Sequence, residues 1–159
     1  MSIPIIRRAL LGAAAPLGLA VSIARPALAG SLDVVASFTA KPSQLDVATY
    51  TDPNQKPSKV GLLSISHSNA IALGAADWKS LIELVHKASA AGTNSATWTE
   101  AGSMKDVSKD VATLTVSSGP GLRFVISSAK GGTVTHILPK ADIARLEKAL
   151  AQVSDALSK

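Results

Sequence analysis

Apolar and polar residues alternate along the segment that begins at Leu32, where Val34, Ala36, Phe38 and Ala40 fall on one side. A period of two is typical of a strand that buries one face. Turn residues such as Pro53, Gly119 and Gly131 separate further short apolar runs. The pattern predicts eight strands in two groups of four, at residues 32–40, 44–52, 60–66, 69–73, 95–104, 109–117, 122–129 and 133–138.

Each group of strands is followed by a segment whose apolar residues recur every three or four positions. This spacing places them on one face of a helix. The first predicted helix, 75–91, ends before Gly92 and has the apolar face Trp78, Leu81, Ile82, Val85 and Ala88. The second predicted helix, 140–157, has the apolar face Ile143, Leu146, Ala149, Leu150, Val153 and Leu157.

The two groups also share sequence. Asp46–Thr51 recurs as Asp110–Thr115 at an offset of 64, with five of six residues identical. Around the helix starts, an offset of 65 relates Leu73, Asp77 and Leu81 to Leu138, Asp142 and Leu146. Collinear matches predict an internal duplication. We expect one α+β domain, 30–159, built from two tandem ββββα repeats (31–92 and 94–157), with antiparallel sheets, helices packed on the sheets and a pseudo-twofold.

This order of elements resembles the PUR-repeat and Whirly-type proteins, which bind single-stranded nucleic acid. The resemblance covers nearly all of residues 30–159, but it lies in the order of elements and in no diagnostic motif. Such proteins bind bases on exposed aromatic rings and phosphates on cations. The predicted strands carry few of either, so the resemblance transfers no binding residue to this chain.

Residues 1–29 have the features of a signal peptide. Arg7 and Arg8 precede an apolar run, 9–24, and Ala27-Leu28-Ala29 is a small-x-small cleavage pattern. We expect cleavage after Ala29 and a periplasmic or secreted protein. The arginine pair resembles a twin-arginine export signal, and a general secretory signal is the alternative. An uncleaved anchor is a further alternative, although a run of about 16 residues is short for the roughly 20 that a membrane span needs.

Removal of this segment changes the charge. The whole chain has 16 basic and 11 acidic residues, and three of the basic ones (Arg7, Arg8 and Arg25) lie in the first 29 positions. The remaining net charge of +2 gives a weak field, which argues against strong non-specific attraction to nucleic acid or acidic lipid. The chain contains no cysteine, which excludes disulfides and thiol catalysis.

No residue pattern predicts catalysis, a metal site or a cofactor. The three histidines, His67, His86 and His136, are far apart, and only His86 has a carboxylate (Glu83) at a ligand-like spacing. Ser127 and Lys130 have a Ser-x-x-Lys spacing, but on a predicted strand end rather than a helix. Asp77 and Asp142 come at the helix starts, where we expect capping or compensation of the helix dipole rather than a paired carboxylate site.

The candidate contact residues are Trp98, Tyr50 and Arg123. Trp98 lies between two threonines in a predicted strand, so its face belongs either to the core or to an exposed binding surface. The sequence favours a non-catalytic exported module that binds a protein partner, or a second copy, through a sheet face or edge. A single-strand nucleic acid binder and a small enzyme with an unrecognised site are the alternatives.

Overall fold

The computed structural model describes residues 30–92, 96–108 and 111–159, and within them it has an α+β fold. The first sheet has the strand order β1-β2-β3-β4 and the second has the order β5-β6-β7-β8, and both are antiparallel throughout. The elements are β1 (Ser31–Ala40), β2 (Ser43–Thr51), β3 (Lys59–Ile65), β4 (Asn69–Leu73), α1 (Ala75–Ala90), β5 (Thr99–Lys105), β6 (Ala112–Ser118), β7 (Gly121–Ser128), β8 (Gly132–Pro139), a 3-10 turn (Lys140–Asp142) and α2 (Ile143–Leu157).

The predicted α+β class is therefore confirmed, with two four-stranded antiparallel sheets and two helices. Two boundaries differ from the prediction. β5 begins at Thr99, so Trp98 precedes the strand, and α2 begins at Ile143, after a 3-10 turn at Lys140–Asp142. The predicted starts of the fifth and sixth strands, residues 95 and 109, lie outside the described residues, as does the predicted signal peptide. Within the described chain, neither helix is long and apolar enough to cross a membrane.

Both predicted helix faces are buried. Trp78, Leu81, Val85 and Ala88 of α1 are buried, and Ile82 packs at the margin of the same core. In α2 the buried residues are Ile143, Leu146, Ala149, Leu150 and Val153. One continuous core contains both sets, because the spacing of the apolar residues puts them on a single stripe of each helix.

Each helix packs mainly on the sheet of the other half of the chain. α1 follows the first sheet but lies mostly against β5 and β6, whereas α2 follows the second sheet and lies against β1, β2 and β3. The two helices also contact each other. Neither half of the chain buries its own apolar surface alone, so the two halves form one cooperative core.

Trp78 lies where the first sheet and both helices meet. Its side chain is fully buried, and its indole N–H donates to the carbonyl oxygen of Leu150 in α2 at 2.9 Å. The ring lies directly over Gly61 of β3, where a Cβ would overlap it. Gly61 is therefore required for close approach of the ring, in a strand whose backbone is otherwise regular.

Side-chain hydrogen bonds join the two sheets at their edges. The Asn69 amide at the start of β4 donates to the carbonyl oxygens of Ile126 and Gly132, at 3.0 and 2.8 Å. On the outer edge of β4, the N–H of Ala72 donates to the carboxylate of Asp106, and the N–H of Val107 donates to the Ala72 carbonyl. These bonds satisfy backbone groups that would otherwise remain unpaired on the sheet edge.

The first strand of each sheet has an irregularity and a cation from a helix. The pairing register shifts between Val34 and Ala36 in β1, and between Glu100 and Gly102 in β5. The Lys87 ammonium of α1 donates to the Ala101 carbonyl of β5 at 3.3 Å. The Arg145 guanidinium of α2 correspondingly donates to a carbonyl of β1, that of Ser37. Each helix thus caps an edge of the opposite sheet.

The six-residue match at offset 64 does not occupy equivalent positions in the two sheets. Ala48 of β2 faces away from the helices, whereas its match, Ala112 of β6, faces the main core. The ladders explain the difference. Leu45 of β2 pairs with Ile65, which lies four residues before the start of β4. Ala112 of β6 pairs with Ser128, which lies four residues before the start of β8. Equivalent positions in β2 and β6 therefore differ by 67 residues. The sequence match at offset 64 is three residues away from this relation, and an odd shift along a strand turns a side chain to the opposite face of the sheet.

Candidate functional site

The outer face of the second sheet, the face away from the helices, is polar and partly exposed. It is formed by every second residue of β6, β7 and β8, since successive side chains of a strand point to opposite faces. Its three cross-strand rows are Thr113, Ser127 and Thr133, then Thr115, Val125 and Thr135, then Ser117, Arg123 and Ile137. Ile137 is 46% exposed, which is unusual for a large apolar side chain here.

Trp98 and Arg123, two of the three predicted contact residues, meet on this face. The guanidinium carbon of Arg123 lies 5.0 Å from the centre of the Trp98 ring, within the range of a cation–π contact. The same guanidinium donates weakly to the Ser117 hydroxyl at 3.4 Å. Its buried Nε has no hydrogen-bond partner among the described residues. The cation is held between the indole ring and the hydroxyl.

The β6–β7 turn makes room for the Trp98 ring. Trp98 is half-buried, and its ring lies directly over Gly119, where a Cβ would overlap it. The Gly119 N–H donates to the Gly121 carbonyl and closes the turn. A ring held over a turn backbone loses little side-chain entropy on binding, which favours its use as a contact residue.

Positive and negative side chains border the same face. Glu100 and Lys105, both exposed, lie at the two ends of β5. Near Lys105, at the end of the sheet far from Trp98, is a shallow depression of about 360 Å³. Its lining includes Thr113 and Ser127. The outer face therefore has a cation at each end, Arg123 beside Trp98 and Lys105 beside the depression.

Tyr50, the third predicted contact residue, lies elsewhere. It is on the outer face of the first sheet and is only 1% exposed, so its ring is not presented to solvent. Its ring lies against Gly30, where a Cβ would overlap the phenol. Burial, and secondarily the nearby Asp52 carboxylate, raise the pKa of the Tyr50 phenol above its ordinary value.

A buried carboxylate, Asp46, gathers polar side chains at the hairpin end of the first sheet. It accepts hydrogen bonds from Ser37 and from the Gln44 amide at 2.5 and 2.8 Å. Its other oxygen lies 3.1 Å from Nδ1 of His67. His67 and Ser66 both have positive φ, which matches the left-handed conformation that a tight hairpin turn requires. The cluster fixes the hairpin and includes one half-buried histidine.

His136 is fully buried in β8, at the contact between the two sheets. Its Nδ1 lies 2.9 Å from the hydroxyl of Ser43 in β2, and that hydroxyl also donates to the Ala40 carbonyl. Nε2 of His136 is buried without a hydrogen-bond partner among the described residues. Burial lowers the pKa of His136, while the Asp142 and Asp46 carboxylates act weakly in the opposite direction.

We expect acid to destabilise the fold through His136. The unfolded chain binds a proton at this imidazole near pH 6.5, whereas the folded chain keeps it neutral to a lower pH. The free energy of unfolding should therefore fall as the pH drops below about 6.5. Urea titrations at pH 7.5 and 5.5 test this, with His136→Gln compared with the wild type. His86→Gln is the control, because His86 is 62% exposed. An equal decrease in the free energy of unfolding between pH 7.5 and 5.5 in all three proteins would contradict the assignment of this effect to His136.

The other predicted sites are not assembled by the fold. His86 lies 3.8 Å from Glu147 of α2, and no group of three or more metal-binding side chains occurs in the described residues. Ser127 is on β7 and contacts the Thr133 hydroxyl at 3.0 Å, so the Ser-x-x-Lys spacing spans a strand and a turn. This arrangement lacks the helix that would bring serine and lysine together.

Asp77 and Asp142 form no side-chain cap at the helix starts. Gly74 precedes α1 and Asp142 precedes α2, and neither position has a side-chain capping hydrogen bond. Asp77 lies in the first turn of α1, where a negative charge stabilises the helix dipole. Asp142 lies 3.8 Å from Arg145. The expected capping role is therefore absent for both residues. The expected compensation of the helix dipole applies to Asp77.

No protein-family model matches the chain, and no curated protein matches it.

Sequence reasoning missed three buried polar contacts, those of Asn69, Asp106 and His136. Each joins elements more than 30 residues apart, as in the Asp106–Ala72 and Ser43–His136 pairs. One signal was available. A polar residue inside an apolar run, such as Asn69 before Ala70 or His136 before Ile137, is a buried group that requires a partner. The partner itself cannot be identified from local spacing.

Proposed function

We propose that this protein is an exported, non-catalytic interaction module that binds a protein partner through the outer face of its second sheet. The Arg123–Trp98 stack on that partly exposed, hydroxyl-rich face carries the proposal. Export follows from the leader-like first 29 residues, with cleavage after Ala29 and release into the periplasm or the medium. The twin-arginine route and the general secretory route are both compatible with that leader.

The stack is suited to binding a carboxylate. The Trp98 ring and the Ser117 hydroxyl fix the guanidinium of Arg123. A planar guanidinium held in this way pairs with a carboxylate through two parallel hydrogen bonds. Little side-chain entropy remains to be lost, since the arginine is already ordered.

The rest of the face suits an extended polypeptide. Serine and threonine hydroxyls can donate to or accept from a peptide backbone, and Ile137 offers an apolar contact beside Arg123. Lys105 supplies a second cation at the far end. We therefore expect the partner to contribute an acidic, extended segment.

The test is fluorescence anisotropy with a labelled glutamate-rich peptide, a labelled neutral peptide and labelled oligo-dT. The wild type should bind the acidic peptide more tightly than the other two. Arg123→Gln and Trp98→Ala should each raise Kd about tenfold, a loss of about 1.4 kcal/mol. The control is Lys79→Gln, which removes one exposed positive charge from α1 and should leave Kd unchanged.

Two results would contradict the proposal. Equal effects of Arg123→Gln and Lys79→Gln would mean that only net charge matters. Preferential binding of oligo-dT, with affinity falling steeply as salt rises, would favour the single-strand nucleic acid alternative instead. The contact of Trp98 with a cation supports this alternative, because bases stack on exposed rings.

We also infer that the two halves arose by duplication and are related by a pseudo-twofold. The support is the shared ββββα order, the exchanged helices, the irregularities in β1 and β5, and the helix cations that cap these two strands. The helix matches at offset 65 agree, since Leu81 and Leu146 are both fully buried. The strand match at offset 64 gives no support. The likeness to PUR-repeat and Whirly-type proteins stays a prediction.

A further inference from the structure

The outer face of the first sheet is apolar, in contrast to the hydroxyl-rich outer face of the second. We call it the apolar outer face. It comprises a buried cluster of six residues on β2, β3 and β4: Ala48, Tyr50, Val60, Leu62, Ala70 and Ala72. None of the six is more than 5% exposed. This cluster is separate from the main core, on the side of the sheet away from the helices.

Described neighbours of this face lie at its borders. The partly buried apolar residues packed against it are Leu32 of β1 and Val107, which follows β5. Val34 belongs to the same face through its pairing with Ala48, and it is 50% exposed. These two are the partly buried apolar side chains that pack against the cluster among the described residues. A bare apolar sheet face of this kind would be a site of association.

We propose that in the uncleaved chain the apolar run 9–24 covers the apolar outer face. The first described residue, Gly30, lies against the Tyr50 ring, so the preceding segment reaches the chain at the end of this face. Five residues, 25–29, separate the run from Gly30 and can span up to about 17 Å. The run is therefore tethered within reach of the surface.

The dimensions of the run and the face agree. Three strands about 4.8 Å apart, each contributing about five residues, give a face of roughly 14 by 17 Å. Sixteen residues span about 24 Å even in the compact geometry of a helix, and more when extended, so the run is long enough to cross the face. One such segment covers most of the face, whereas a stable interface between two proteins needs about 800 Å² from each partner. A second copy is therefore a poorer match in size.

Charge also agrees with this occupant. Buried carboxylates lie near both ends of the face, Asp46 at the hairpin end and Asp52 beyond Tyr50. The apolar run has arginines at both of its ends, at positions 7, 8 and 25. Opposite charges at both ends favour alignment of the run along the strands, in either direction. Cleavage after Ala29 would then uncover the apolar outer face in the exported protein.

Cross-linking in the full, uncleaved chain tests the proposal, because the chain has no cysteine of its own. Leu17→Cys is combined with Ala72→Cys on the apolar outer face. The matched control combines Leu17→Cys with Thr135→Cys, which occupies the corresponding row of the second sheet. After treatment with a short bismaleimide, the intramolecular product should be at least tenfold more abundant for the Ala72 pair.

Equal yields for the two pairs would overturn the proposal, and so would products that join two chains. If Ala72→Cys fails to fold, as judged by circular dichroism, Val34→Cys replaces it. Val34 is on the same face and 50% exposed, so cysteine there does not disturb packing. The result is independent of the proposed function, since neither Trp98 nor Arg123 takes part.

Discussion

Replacing Trp78 with alanine is expected to lower the free energy of unfolding by about 3–5 kcal/mol, the range for a large aromatic residue lost from a core. The indole is fully buried between the first sheet and both helices. Its removal leaves a cavity and also leaves the Leu150 carbonyl without the indole donor. Urea denaturation measures the loss. Trp98→Ala is the matched control, because that ring is only half-buried, and should cost less than about 1 kcal/mol.

Gly61 provides a second check on the same contact. Gly61→Ala places a methyl group against the Trp78 ring and should cost about 1–3 kcal/mol through overpacking. In the Trp78→Ala background that methyl group enters the vacated space, so the same change should cost much less. A coupling energy of about 0.5–3 kcal/mol between the two sites is expected. Additive effects would show that the ring does not lie on Gly61.

Leu81→Ala and Leu146→Ala should each destabilise the protein by about 2–5 kcal/mol. Both side chains are fully buried, Leu81 in α1 and Leu146 in α2. The exposed residues Glu83 and Lys148 on the same helices provide controls, and their alanine variants should stay within about 0.5 kcal/mol of the wild type. Near-zero cost for both leucine variants would contradict the assigned helix faces.

The shape of these transitions tests the exchange of helices. α1 packs mainly on the second sheet and α2 on the first, so loss of either helix contact affects both halves. We expect one cooperative transition with an unchanged dependence on urea in each leucine variant. Two separate transitions would show that the halves fold independently, which the exchanged packing does not allow.

The candidate site was predictable as single residues but not as an arrangement. Trp98 and Arg123 could each be selected by residue type and by position near a strand. Their contact depends on the pairing of β5, β6 and β7, which brings together residues 25 positions apart. Tyr50 could be selected on the same grounds of residue type and strand position, yet its side chain lies on a buried face of the first sheet. Exposure depends on what lies over a strand, which residue type does not encode.

The strands of the first sheet carry a further signal in their sequence. β3 and β4 read as nearly continuous apolar runs, Lys59–Ile65 and Asn69–Leu73, without the alternation seen in β1. Continuous runs are typical of strands that are buried on both faces. Such strands could have indicated a first sheet that is apolar on both sides. The second sheet alternates clearly in β6 and β7, in agreement with its partly exposed outer face.

The sequence by itself determined the number and kind of elements and the buried faces of the helices. These features depend on local periodicity, since an apolar spacing of two or of 3.6 selects a strand or a helix at that place. Only the tertiary structure decided which sheet each helix covers, that Ala48 and Ala112 face opposite ways, and that Trp98 stacks on Arg123. Those outcomes follow from long-range pairing, in which the total apolar surface buried selects one arrangement among several with equally good local patterns.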